Sequence, residues 1–445
     1  EISAGGAINH QGTIDTDGGV TLRAPRTETT SSGITLAGNV TAGNGGLGLH
    51  SGFDINQTNG IISTSGAVFG INSSGVATQD VNNPGALHTV SLLQNNEIAQ
   101  LGPFYLKDTD GNALSINDVA GGLTLTGDLT NAYGNINVTT AGGALNLDTF
   151  GVTAGPSVAG GANVVLTGQG IEQNSGAISV NGNDAGGGTI LLQGYDGTAQ
   201  GAINLSGSLQ TANTTATAIT IRGTNALSLP TIDVAGGTLV LGDSAQGPAG
   251  TITGAVTQSA GTDITADTLV VDASSSVVLD KANSIDNLGS ITVGDNGAVS
   301  YDFDLNDADS GLILTSDILS AGGIRLQTQQ GGGGAGVLQL GTFDLLADDD
   351  IVVSGDSVAQ ADGGVIDADN TGAGAGDGGT ITVSATAGES IDLLGQVTTD
   401  SNATTAIQVL NATDVRLNDI AATAGTLVLG TAGQRLTGTV SQESA

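Results

Sequence analysis

The hexapeptide GTLVLG occurs twice, at Gly237 to Gly242 and at Gly425 to Gly430, 188 residues apart. The match runs on backwards: LSLPTIDVAGGTLVLG from Leu227 lies over VRLNDIAATAGTLVLG from Val415, which sets Leu229 on Leu417 and Ile232 on Ile420. Upstream, Ile219 and Ile221 fall on Ile407 and Val409, and NVVLTGQGIEQ from Asn163 matches DIVVSGDSVAQ from Asp350. LNLDTF from Leu145 matches LQLGTF from Leu338, GGLTLTGDL from Gly121 matches SGLILTSDI from Ser310, and NNEIAQLGPFYL from Asn95 matches ANSIDNLGSITV from Ala282. All these segments keep chain order, with offsets between 187 and 193, so the chain holds a unit of about 188 residues that tolerates small insertions. Whatever fold one copy adopts, the other must accommodate.

GAIN at Gly6 to Asn9 also matches GAIN at Gly201 to Asn204. The expected division is 1–46 as the end of a preceding unit, 47–236 as one unit with insertions, 237–424 as a second and 425–445 as the start of a third. The first residue is Glu1 rather than Met, and the last unit breaks off shortly after it opens, so the natural chain is expected to be longer.

Inside each unit the local motif is an apolar, polar, apolar triplet: LTL at Leu123 to Leu125, INV at Ile136 to Val138, LNL at Leu145 to Leu147, ITI at Ile219 to Ile221. Alternation with period two places both apolar side chains on one face of a short, half-buried strand. The strands are separated by breakers such as TTAGG and NGNDAGGG, whose residues accept positive φ or cap turns. No stretch has helical spacing with capping signals, and Gly is 74 of 445 residues, so the chain reads as all-β. Disorder is disfavoured, because hydrophobic residues make up 38% and β-branched residues are spread along the whole length.

Two sandwiches in tandem need a linker, and none is visible; each copy passes into the next through strand-like sequence. That favours a parallel β-solenoid, in which neighbouring coils share one narrow core of Val, Ile, Leu and Ala and insertions leave as loops. Such a core does not need aromatic side chains, which are 2% of this chain. At ~20 residues per coil and ~4.8 Å rise, the expectation is about 20 coils in a rod on the order of 100 Å long.

The order VTQSAGTDITADTLVVD from Val256, VVLDKANSIDNLGSITV from Val277, GLILTSDILSAGGIRL from Gly311 and then GTLVLG resembles the repeats of large bacterial exoproteins of the filamentous haemagglutinin-like, two-partner-secretion kind. EISAGGAINHQGTIDTDGGVTLRA at the start has the same look. The resemblance covers essentially the whole chain and is carried by structural motifs. It implies a right-handed parallel β-helix, export through an outer-membrane transporter, and display at the bacterial surface as an adhesin or filament, extracellular and in contact with itself or with surface glycans or proteins. The family's N-terminal secretion domain is not recognisable in this sequence.

The net charge of −35 repels a phosphate backbone, which speaks against nucleic-acid partners; the same charge keeps a long β-rich surface soluble. Cysteine is absent, so there is no disulfide framework, thiol nucleophile or Cys-based zinc site. No run of 18 apolar residues occurs.

Two copies give an internal check, since a residue unique to one copy cannot serve a role that both share. Of the three histidines, His10 falls on Leu205 and His50 near Gly242, as expected of surface or turn substitutions; His88 is the third, and no Ser/His/Asp set or zinc-protease motif assembles around them. The alternative function is a carbohydrate-active β-helix enzyme using paired carboxylates, for which Asp302, Asp304, Asp307, Asp309 and Asp348 to Asp350 are the places to look. With 43 acidic residues such proximity is expected anyway, and four Tyr, six Phe and eight Lys+Arg are few for a polysaccharide cleft, so no catalytic, cofactor or metal residues are assigned and the chain is not expected to be an enzyme. Calcium is weighed at Asp108, Asp110 and Asn112, which start like an oxygen-ligand loop but continue with Ala113 where Gly belongs, and at GAGAGDGG from Gly372, which is not tandem. Turn chemistry accounts for both.

Asn-x-Ser/Thr sequons at Asn39, Asn56, Asn72, Asn137, Asn204, Asn213, Asn402 and Asn411 follow largely from composition. The Thr-x-Thr pair at Thr124 and Thr126 raises an ice-binding lattice, which uneven coil lengths oppose.

Overall fold

Parallel pairing of short strands dominates the molecule. The computed structural model describes residues 1–24, 33–70, 89–106, 112–155, 161–180, 187–215, 217–294, 300–308, 311–328, 336–369, 378–386 and 388–442. Among the described residues the ladders between successive coils run parallel, and the only helical element is a 3-10 segment at Ser244–Ala249. The chain forms two compact units, one of Glu1–Gly237 with Gln246–Gly250 and one of Thr238–Ala245 with Thr251–Ala445. Each is a parallel β-solenoid.

Three ladders define the coils of the first unit. Leu123 pairs with Leu145, Leu145 with Ile171, Ile171 with Ile203 and Ile203 with Leu227. A second ladder stacks Leu129, Val152, Ile178, Leu209 and Ile232, and a third stacks Ile136, Val164, Ile190 and Ile219. All of these side chains are buried. A one-residue slip would turn each apolar row outward, so burial fixes the register.

The second unit repeats the first rung for rung. Leu312, Leu338, Val358, Ile391 and Val415 form the counterpart of the first ladder. Ile318, Leu345, Ile366, Val397 and Ile420 answer the second, and Ile324, Ile351, Ile381 and Ile407 the third. These are the residues that the 188-residue alignment superposes.

Coils are longer than the expected ~20 residues. From Leu123 to Leu227 successive coils take 22, 26, 32 and 24 residues. The difference lies at the corners, where loops leave the stack without disturbing the ladder. The longest of these coils contains a loop closed by an antiparallel bridge between Tyr195 and Gln200. There Asp196 accepts N–H groups from Thr198, Ala199 and Gly142 and the Thr198 hydroxyl; against the opposing effect of burial, these bonds hold its carboxyl far below the usual range.

The longest described strands of the two units are Val90–Leu101 and Val277–Val293. Both turn a corner through a register shift, between Leu92 and Asn96 in one and Leu279 and Asn283 in the other. Such a bulge frees backbone groups from the ladder, and a buried asparagine collects them. The Asn96 amide donates to the carbonyls of Leu92 at 3.2 Å and Asn117 at 3.1 Å, and its oxygen accepts the Ile62 N–H at 3.0 Å. Gln57 completes the set with two reciprocal bonds to Asn96, at 2.6 and 2.9 Å.

In the second unit Asn283 donates to Leu279 and Asn306, accepts from Ile264, and exchanges two bonds with Gln258. The next rungs are Asp118 and Thr140 in one unit, Asp307 and Thr328 in the other, all fully buried. A polar ladder thus recurs beside the apolar ones.

Replacing Asn96 or Asn283 by Ala strands several buried backbone groups at once, so each variant should lose ~2–4 kcal/mol in urea unfolding, whereas Asn95→Ala on the outer face should change it by no more than ~0.5 kcal/mol.

Candidate functional site

A groove of about 570 Å³ runs across the corners of successive coils in the first unit. Its lining comes from Gln11 to Thr13, Ala37 to Asn39, Asn59 to Ile61, and Gln94 with Asn95. The chain forms a concavity here because glycines stack at the floor. A Cβ at Gly38 would lie 1.7 Å from the Gly12 carbonyl oxygen, and one at Gly60, where φ is +76°, would lie 2.4 Å from Gly38. Only residues without side chains let the turns approach this closely.

Amides form the walls. Asn39 spends its side-chain oxygen on the Ile61 N–H at 3.0 Å, and its carbonyl pairs with His10 Nε2 at 3.1 Å. The side chains of Gln11, Asn59, Gln94 and Asn95 have no hydrogen-bond partner among the described residues and carry no charge. Beneath them lies the buried Gln57–Asn96 pair: Gln57 donates to the Gly60 carbonyl at 3.0 Å and accepts the Gln94 N–H at 3.3 Å. The polar ladder therefore holds two of the four turns in place. Sequence reasoning did not single out this groove. Its signal was the small-residue-plus-amide corners QG, GN and NG at one coil interval.

Among the described residues, the sequence-marked carboxylates do not gather into one cleft. Asp302 and Asp304 are on the outer side, Asp307 points into the core below Asn283, and Asp309 lies outside the described residues. Burial pushes Asp304 up; Arg325, 3.8 Å away, opposes it, and Asp280 and Asp302 add to it. Asp349 and Asp350 are exposed, and Asp369 is pushed up by burial and by the charges of Asp400, Asp367 and Asp348. Among the described residues no group of three or more His, Asp or Glu is placed to hold a metal ion. Asp108, Asp110, His88, Asn72 and residues 372–377 lie outside the described residues; Asn112 opens the strand Asn112–Asp118.

Some of the acidic residues have a structural use. Asp128, Asn163, Asp302, Asp317, Asp350 and Asp414 each stand immediately before the first inward apolar residue of a strand. Each accepts the N–H at the same corner of the next coil, from Gly151, Thr189, Gly323, Asp344, Thr380 and Thr439 respectively, at 2.7 to 3.0 Å. Strap positions recur between copies, Asp128 with Asp317 and Asn163 with Asp350. An Asx before each triplet was the readable sign, and it belongs to local side-chain to backbone bonding.

His50 differs from expectation. It is only 9% exposed, edge-on to Phe69 with ring centroids 6.3 Å apart. Gly48 makes this possible, because a Cβ there would meet the Phe69 ring at 3.1 Å; burial, then the Arg23 charge, lower the imidazole's pKa, with Glu1 opposing. Asn213 is 2% exposed, which leaves no room for a sugar at that sequon, and the Asn204 amide is bonded to Glu172. Thr124 stacks between Gln100 and Asn146 rather than between threonines, so no Thr lattice forms there.

The buried Asp118 carries a pH prediction. Burial raises its pKa from 3.8, against the N–H groups of Ile98, Ala120 and Val119 and the Thr140 hydroxyl. A raised carboxyl pKa means the folded chain binds the proton more tightly, so this contribution to stability is fully present below 3.8 and is lost as pH rises through the folded value. Asp118→Asn keeps the shape without the charge. Its melting temperature should exceed that of the parent at pH 7 and converge with it near pH ~3.5, as followed by circular dichroism.

The chain matches no family model, no curated protein and no solved structure.

Proposed function

We propose that this chain is a structural segment of a bacterial extracellular fibre or adhesin, a solenoid that carries surface contacts away from the cell. The supporting observation is the contrast between inward and outward rows of the two copies. Inward, the apolar ladders and the Gln, Asn, Asp, Thr rungs recur. Outward, the row Thr124, Asn146, Glu172, Asn204, Ser228 is answered by Ile313, Gln339, Ala359, Asp392 and Arg416. What both copies keep is the scaffold, and a shared reaction centre would have kept outward residues as well.

Parallel backbone ladders give such a scaffold stiffness, and the acidic surface, fixed in part by the corner straps, opposes lateral sticking. Many weak contacts along one chain then add through avidity. The partners in this reading are other copies of the chain, glycans or proteins of host or bacterial surfaces, and an outer-membrane transporter during export.

Antibody raised against this chain should label intact source cells, lose its target when protease is added outside, and cells lacking the gene should attach less. Labelling that appears only after permeabilisation, with protease having no effect, would contradict the reading.

A further inference from the structure

We propose that the groove of the first unit is a binding site for an uncharged, hydroxyl-rich glycan chain. The proposal rests on the adhesin reading for its setting, and on the groove alone for its chemistry. Four turns at ~4.8 Å spacing make a face about 14 Å long, which takes a short run of linked sugars and is larger than a single small polar ligand needs. A carboxamide offers both a donor and an acceptor, the pair that vicinal hydroxyls require, and the side chains of Gln11, Asn59, Gln94 and Asn95 are available along that face. Ile61, 40% exposed, provides an apolar surface for the C–H face of a sugar ring.

The floor is preorganised. The close approaches at Gly38 and Gly60 fix its shape, while Gln57, itself held by two bonds to Asn96, pins Gly60 and Gln94 from below, so binding orders only the wall side chains. With a chain charge of −35 and no basic residue in the lining, acidic glycans are repelled. In the second copy Lys281 and Ala282 stand at the positions of Gln94 and Asn95, so the amide wall belongs to the first unit.

The test is calorimetric titration of the intact chain with cellohexaose, mannohexaose and N-acetylchitohexaose, and with hexagalacturonate as the acidic comparator. At least one neutral hexasaccharide should bind saturably in the millimolar range or tighter, and hexagalacturonate should bind more weakly than it. The double variant Asn59→Ala, Gln94→Ala should bind about tenfold more weakly with its melting temperature unchanged, while Asn402→Ala on the second unit should bind as the parent does. Failure of all three neutral probes, or equal binding by the double variant, would overturn the site. Surface labelling of source cells is read separately, so a chain that is displayed but binds no neutral probe would sink this inference and leave the adhesin reading standing.

Discussion

In-register parallel pairing between successive coils is the constraint on which the rest of the structure depends. Once Leu123 pairs with Leu145 and Leu145 with Ile171, period-two alternation sends every apolar residue of those triplets inward and every polar one outward. A narrow core of aliphatic side chains then suffices, and Phe104 and Phe303 are the only buried Phe side chains among the described residues. Insertions cost little, because a corner loop adds length without moving a rung.

The polar residues serve the same pairing. At the bulged corners, where the ladder gives up backbone bonds, Asn96 and Asn283 replace them from inside the core, each clamped by a glutamine. At the ordinary corners an Asp or Asn reaches across to the next coil's N–H. Buried polar groups are costly unless satisfied, and these two corners satisfy them in the same way twice.

The sequence made the solenoid legible because its signal is periodic at two scales, the triplet and the unit. LNL and INV announce strands by themselves, and the copies then select stacking over tandem domains. Coil length was not legible, since loops such as the one closed by Tyr195 and Gln200 scale with no pattern in the triplets. The burial of Asp307 was hidden too: within YDFDLNDADSG it looks like one carboxylate among four, and only the ladder shows it continuing the inward parity of Phe303 and Leu305. His50 was misplaced because its cover, Phe69, comes from a neighbouring coil through the space left by Gly48. The amide groove needs four corners brought side by side, and no single corner announces it.

The register can be tested with paired cysteines, which the native chain lacks. Thr124 and Asn146 are outward partners on adjacent coils, as are Arg325 and Val352 in the second unit. Parallel neighbours lie ~4.8 Å apart, within the span a disulfide bridges. On mild oxidation the Thr124→Cys, Asn146→Cys and Arg325→Cys, Val352→Cys chains should each form an internal disulfide, while the slipped pair Thr124→Cys, Leu147→Cys, facing opposite sides of the coil wall, should stay reduced. Equal oxidation of paired and slipped positions, or none at the paired ones, would contradict the stacked solenoid.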